Sequence, residues 1–105
     1  MGETEYIIYL DGAQKDRYRH FHLTEQGRIV LFRIQYEAFI NGDWIAILRY
    51  DTAHGFPHRD LIHPDGSQTK EQFPHYSRKD VLTLGQQDIR RNWRDYRSQY
   101  EKELR

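Results

Sequence analysis

The chain contains no cysteine among its 105 residues, which excludes a disulfide framework, a thiolate metal site and a cysteine nucleophile. It has no net charge either, since 16 basic side chains balance 16 acidic ones. Global electrostatics therefore do not announce a nucleic-acid partner. No apolar run approaches the length of a membrane span, and the polar start Met1-Gly2-Glu3-Thr4-Glu5 is unlike a signal peptide. The expectation is a soluble, cytoplasmic protein with no membrane contact. Internal repeats, low-complexity segments, glycine-rich phosphate loops, nucleophile elbows and helical zinc motifs are all missing. Hydrophobic residues are scarce at 37%, but eight Tyr, five Phe and two Trp can each bury a large area. One aromatic-rich core follows, in a single domain over residues 1–105.

What is present begins with strands. Tyr6-Ile7-Ile8-Tyr9-Leu10 is an aromatic and β-branched run ended by the turn pair Asp11-Gly12. Residues 17–23 read as a second strand, closed by Glu25-Gln26-Gly27. Over residues 28–40, Val30, Phe32, Ile34, Tyr36, Ala38 and Ile40 alternate with Arg33, Gln35 and Glu37, a sustained period of two. Asn41-Gly42 is a strong hairpin signal, and Trp44–Tyr50 forms the return strand. A two-residue loop would pair Ile34 with Arg49, which mixes faces. A three-residue loop with a bulge would lay Trp44, Ala46, Leu48 and Tyr50 beside Ala38, Tyr36, Ile34 and Phe32, so burial predicts the second register. Residues 59–63 and 67–73 flank His63-Pro64-Asp65-Gly66 as a further hairpin.

After Phe73-Pro74 the period changes. Ser77 and Asp80 resemble a capping box, and Leu82, Ile89, Trp93, Tyr96 and Tyr100 recur at helical spacing with Gly85 on the same stripe. The reading is an α+β fold: an antiparallel meander sheet of five or six strands over about 5–73, and one long C-terminal helix over about 78–102 packed on one face. Gly85 either kinks that helix or lets it sit close to the sheet.

Candidate chemistry concentrates in residues 49–66, which hold His54, His58 and His63 together with Asp51, Asp60 and Asp65. Histidine and aspartate fill cores poorly and carry proton transfer and metal binding. Extended backbone over 58–63 sends His58 and Asp60 to one side, and Arg59, Leu61 and His63 to the other. The expectation is that Asp51, His54, His58 and Asp60 face one pocket at the sheet's rim. His54 and His58 are then acid/base candidates, Asp51 and Asp60 orienting carboxylates, and Arg49 and Arg59 phosphate contacts. Metal-free RNA cleavage requires those three kinds of group. A plainer alternative has Asp51 and His54 capping the connection between strands.

No cofactor is expected; a divalent metal, if one bound, would take His54, His58 and His63, whose His-x3-His-x4-His spacing is not a recognised signature. His20 and His22 share a strand face with Tyr18, where alternate exposed positions are the ordinary explanation. Arg90, Arg91, Arg94 and Arg97 lie beside Trp93 and Tyr96 on the helix; Arg90 and Arg94 are candidate RNA contacts, and a solvated face is the alternative. A non-enzymatic interaction module, which binds a protein or a second copy through a sheet edge or the aromatic helix, is the competing class.

Arg49-Tyr50-Asp51 at a strand end, followed by His54-Gly55, His58-Arg59 and a terminal helix with an apolar stripe, resembles the TumE-like toxins and related short prokaryotic families of unknown function. The resemblance covers roughly residues 29–100 and rests mainly on Arg49–Asp60. It implies a small cytoplasmic protein with a β-rich core that inhibits growth by acting on RNA or translation, paired with a helix-turn-helix antitoxin. The family's histidine-rich run falls on His54 and His58. The His63–Gly66 hairpin and the balanced charge are departures from those toxins.

Overall fold

Alternation along the longest strand sets the architecture. In a computed structural model describing residues 1–53 and 55–105, six strands follow one another in space as in sequence, each antiparallel to the next. They are β1 (Gly2–Tyr9), β2 (Asp16–Glu25), β3 (Arg28–Ile40), β4 (Asp43–Asp51), β5 (His58–Ile62) and β6 (Gln68–Gln72), followed by helix α1 (Arg78–Glu103). This is the expected α+β meander with one C-terminal helix. Phe32, Ile34, Tyr36, Ala38 and Ile40 point from β3 to one side and are all buried. Burying a large apolar side chain contributes roughly 1.5–3 kcal/mol, so this strand dominates the core. Val81, Leu82, Ile89, Trp93 and Tyr100 of α1 close over it, and over Leu48 and Tyr50 of β4. No helix among the described residues is long and apolar enough to cross a membrane.

The β3–β4 register departs from the expected one. Ile40 pairs with Asp43, so the loop is the two residues Asn41 and Gly42, with φ of 53° and 86°. Positive φ at both positions gives the primed turn whose twist suits a hairpin, and Asn-Gly is the pair that adopts it. Phe39 then faces Trp44 and Ala38 faces Ile45. The register shifts past Glu37–Ala46, and the ladder resumes at Tyr36–Leu48 and Ile34–Tyr50. The bulge is therefore in β4 at Ile47, not in the loop. Both Ile47 (1% exposed) and its neighbour Leu48 (0%) are buried, which an unbroken strand does not allow on one face. Trp44, expected beside Ala38, lies instead on the face away from the helix, edge-on to Phe39 at 5.3 Å.

Ser77 caps α1 by accepting the Asp80 N–H at 3.0 Å. Further along, Arg97 is 2.8 Å from Asp16, which also accepts the Tyr36 hydroxyl. Gly85 explains how closely the helix lies on the sheet. A β-carbon there would stand 2.8 Å from both Ile34 Cδ1 and Tyr50 Cγ. Gly85→Ala is therefore expected to lose about 1 kcal/mol in urea unfolding, although alanine is the better helix former by a similar amount. A gain in stability would mean that the helix can lift off the sheet.

Candidate functional site

Among the described residues, the side of the sheet away from α1 has no covering layer, yet it contains four buried polar side chains: Gln35, Glu37, Asp51 and Asp60. They are satisfied from the flanking strands. Arg17 and Arg19 of β2 both donate to Glu37, the latter at 3.0 Å, and Gln35 donates to the same carboxylate. Arg49 Nε donates to the Gln35 side-chain oxygen Oε1 at 3.0 Å. Burial pushes the Glu37 carboxyl up, but the hydrogen bonds from Arg17, Arg19 and Gln35 outweigh it and hold the group below the usual carboxylate range.

At the other end of this face the pairing of Asp51 with His58 and of Arg49 with Asp60 brings the candidate residues together. His58 Nε2 is 2.9 Å from Asp51 Oδ1 and 3.4 Å from Asp60 Oδ2. Its Nδ1 faces the Phe56 carbonyl at 3.3 Å. Both ring nitrogens thus meet acceptors. Arg33 reaches Asp51 at 3.2 Å and Lys70 reaches Asp60 at 2.9 Å. Asp51 Oδ1 also accepts the Ala53 N–H at 3.1 Å, so this carboxylate both orients the imidazole and shapes the turn beyond β4.

Two depressions flank the Asp51–His58 pair. One of ≈ 190 Å³ is lined by Ala53, Phe56, His58, Lys70 and Gln72. A shallower one of ≈ 430 Å³ runs past Phe21, Leu31, Arg33, Asp51 and Thr52. The carboxylates form the floor and the cations the rim: side-chain exposure is 4% for Asp51 and 6% for Asp60, against 54% for Arg33 and 61% for Lys70.

Asp51, His58 and Asp60 are brought together, and Arg49 lies on the same face. Arg59 is on the opposite face, donating to the Tyr96 hydroxyl at 3.2 Å and paired with Glu71 at 3.3 Å. Tyr96 and Tyr50 in turn donate to Asp88, at 2.8 and 2.6 Å. Arg90 and Arg94 are on the helix, across the sheet from His58, with Arg94 over the Trp93 ring at 4.5 Å. His63 is held by Glu103 at 2.9 Å and Thr69 at 2.7 Å. The His58 and His63 members of the candidate metal set therefore do not meet, and His54 lies outside the described residues. No group of three or more metal-ligating side chains occurs among the described residues.

Sequence reasoning missed Glu37, Gln35, Arg33, Arg17, Arg19 and Lys70 as parts of this face. The alternation of Arg17 and Arg19 with Tyr18 and His20 was a signal, but only register puts them beside Glu37. The picture of His20 as an exposed position is also corrected. It is 2% exposed, stacked on Tyr6 at 4.5 Å, and lies 2.6 Å from both the Tyr18 hydroxyl and His22 Nδ1. Burial, reinforced by His22, pushes its imidazole down to about 4.

Two measurements check these assignments. Glu37→Gln is expected to lose about 2 kcal/mol at pH 7, because it strands two guanidiniums. That difference from the unsubstituted protein should shrink as the pH falls below about 4.3 and the carboxylate takes up its proton. A difference independent of pH would mean that the charge is not what matters. His20 works at higher pH. The unfolded imidazole protonates near 6.5 and the folded one near 4. Stability is therefore full above pH 6.5 and declines between those values by up to roughly 3 kcal/mol. In His20→Gln that part of the decline should vanish from urea titrations, and its persistence would contradict a neutral buried ring.

Comparison with known proteins adds a family and no activity. No curated protein and no solved structure matches the chain. Its full length, residues 1–105, matches a family described as a domain of unknown function, DUF7718. The chain belongs to that family.

Proposed function

We propose that the open sheet face binds the phosphodiester backbone of single-stranded RNA and that His58 transfers a proton in its cleavage. The observation that carries this reading is the imidazole gripped between two buried carboxylates, with the exposed cations Arg33 and Lys70 beside them. Arg33, Arg49 and Lys70 would hold the phosphate, while Asp51 keeps His58 oriented. The 2′-hydroxyl attacks phosphorus, the bond to the 5′-oxygen breaks, and His58 gives its proton to that leaving oxygen. A base must take the 2′ proton, and His54, four residues earlier in the same sequence run, is the group proposed for it. Phe21, Phe56 and Trp44 suit unpaired bases, which stack on aromatic rings. The resemblance to TumE-like toxins points the same way and adds a helix-turn-helix antitoxin as the expected partner.

The edge strand favours a second reading. β1 has exposed Ile7, Ile8 and Tyr9 and, among the described residues, no neighbouring strand on its outer side, which suits strand pairing with a protein partner or a second copy. Fluorescently labelled single-stranded RNA separates the two. Cleavage is expected to fall about 10²-fold or more in His58→Ala with binding retained, and to be absent on the 2′-deoxy strand. Arg49→Gln should weaken binding evenly across sequences and reduce the salt slope by about one. No binding at low salt would remove the RNA reading, and a dimer by light scattering would then favour the second.

A further inference from the structure

We propose that the groove between α1 and the β1–β2 hairpin binds a small monocarboxylate with an apolar body about the size of one ring. Helix α1 packs on β3 and β4, so the β1–β2 half of the same sheet face extends beyond it. The space left, ≈ 90 Å³, is walled by Ile8, Leu10 and Ile89 and by the rings of Tyr6 and Tyr18. Its polar groups are Gln86, Arg90 and the hydroxyls of the two tyrosines. The tyrosine wall is rigid: Tyr6 stacks on buried His20, and the Tyr18 hydroxyl is fixed 2.6 Å from His20 Nδ1.

Charge identifies the ligand. Arg90 and Arg97 are two turns apart on α1 and leave it on nearly the same side. Arg97 finds an anion on β2, Asp16 at 2.8 Å, and adds Glu101 at 3.3 Å. Two turns earlier β2 presents Tyr18 and His20, and Arg90 has no ion-pair partner among the described residues. The groove therefore repeats the Arg97 arrangement with the carboxylate missing. One guanidinium with a nearby amide suits a monoanion that can be held bidentately. A phosphate dianion would lose hydration against the apolar walls without enough donors to replace it. This site lies on the opposite side of the sheet from His58 and stands independently of the RNA reading.

The test is an amide NMR titration of the intact protein with benzoate, using benzamide as its uncharged equivalent in shape. Benzoate should shift residues 6–10, Tyr18 and residues 86–90, and benzamide should bind about tenfold or more weakly. Arg90→Gln should remove that preference without moving the thermal midpoint, because Arg90 is exposed, whereas Arg94→Gln should preserve it. Shifts absent at about 20 mM benzoate, equal binding of the two probes, a benzoate preference that survives Arg90→Gln, or shifts confined to the His58 face would each overturn the proposal.

Discussion

The period-two alternation of β3 is the constraint on which the rest of the structure depends. It sends Phe32, Ile34, Tyr36, Ala38 and Ile40 to one side, and a single amphipathic helix is enough to bury them. The same alternation sends Arg33, Gln35 and Glu37 to the other side, where the described residues form no second layer. A carboxylate in the middle of a six-stranded sheet is shielded by its neighbours even without a helix above it. Its lost hydration must be replaced, and the guanidiniums of Arg17 and Arg19 do this while their alkyl stems cover the surface. The polar network is thus a consequence of the core: once β3 commits its apolar residues to the helix, the opposite face has to satisfy itself.

One inserted residue decides what that face contains. With the two-residue Asn41-Gly42 turn and no bulge, the ladder would set Tyr50 opposite Arg33 and Asp51 opposite Phe32, placing Asp51 toward the helix and Tyr50 toward water. Ile47 absorbs the mismatch, returning Leu48 and Tyr50 to the core and bringing Asp51 opposite Arg33. β5 then supplies His58 directly beside Asp51. Burial of two apolar side chains and assembly of a charged cluster are satisfied by the same local irregularity, at the point where β4 leads into the His/Asp-rich connection.

These relations explain what could be read from residue order. Strands, their sequence and the helix stripe were legible, because each rests on a periodicity within one segment. The partnership of Asp51, His58 and Asp60 was also within reach, since strand alternation and a short connection suffice to suggest it. The β3–β4 register was not. Turn chemistry favoured one pairing and burial another, and the compromise lies in the unbroken apolar run Ile45-Ala46-Ile47-Leu48, which names no bulge position by itself. Arg59 illustrates a different limit. Alternation set it on the far face from His58, but its partner Tyr96 is 37 residues away on the helix. His20 likewise showed its face-sharing with Tyr18 and His22 in the sequence, while its burial depends on the Tyr6 ring of another strand.

The balanced charge count shows why a sum over residues is a weak guide to what a partner meets. Equal numbers of acids and bases need not be equally accessible. On the open face the buried acids Glu37, Asp51 and Asp60 come from inner strands, where backbone and neighbouring stems enclose short side chains. The bases are longer and can cross a strand, reach a buried carboxylate with one nitrogen and leave others facing water. Each ion pair therefore has an inward negative end and an outward positive one. Around Asp51 and Asp60 the cations Arg33 and Lys70 are thus held in place with their charged ends exposed. Anchoring of this kind removes side-chain freedom in the folded protein itself, so less is left to lose in any later contact.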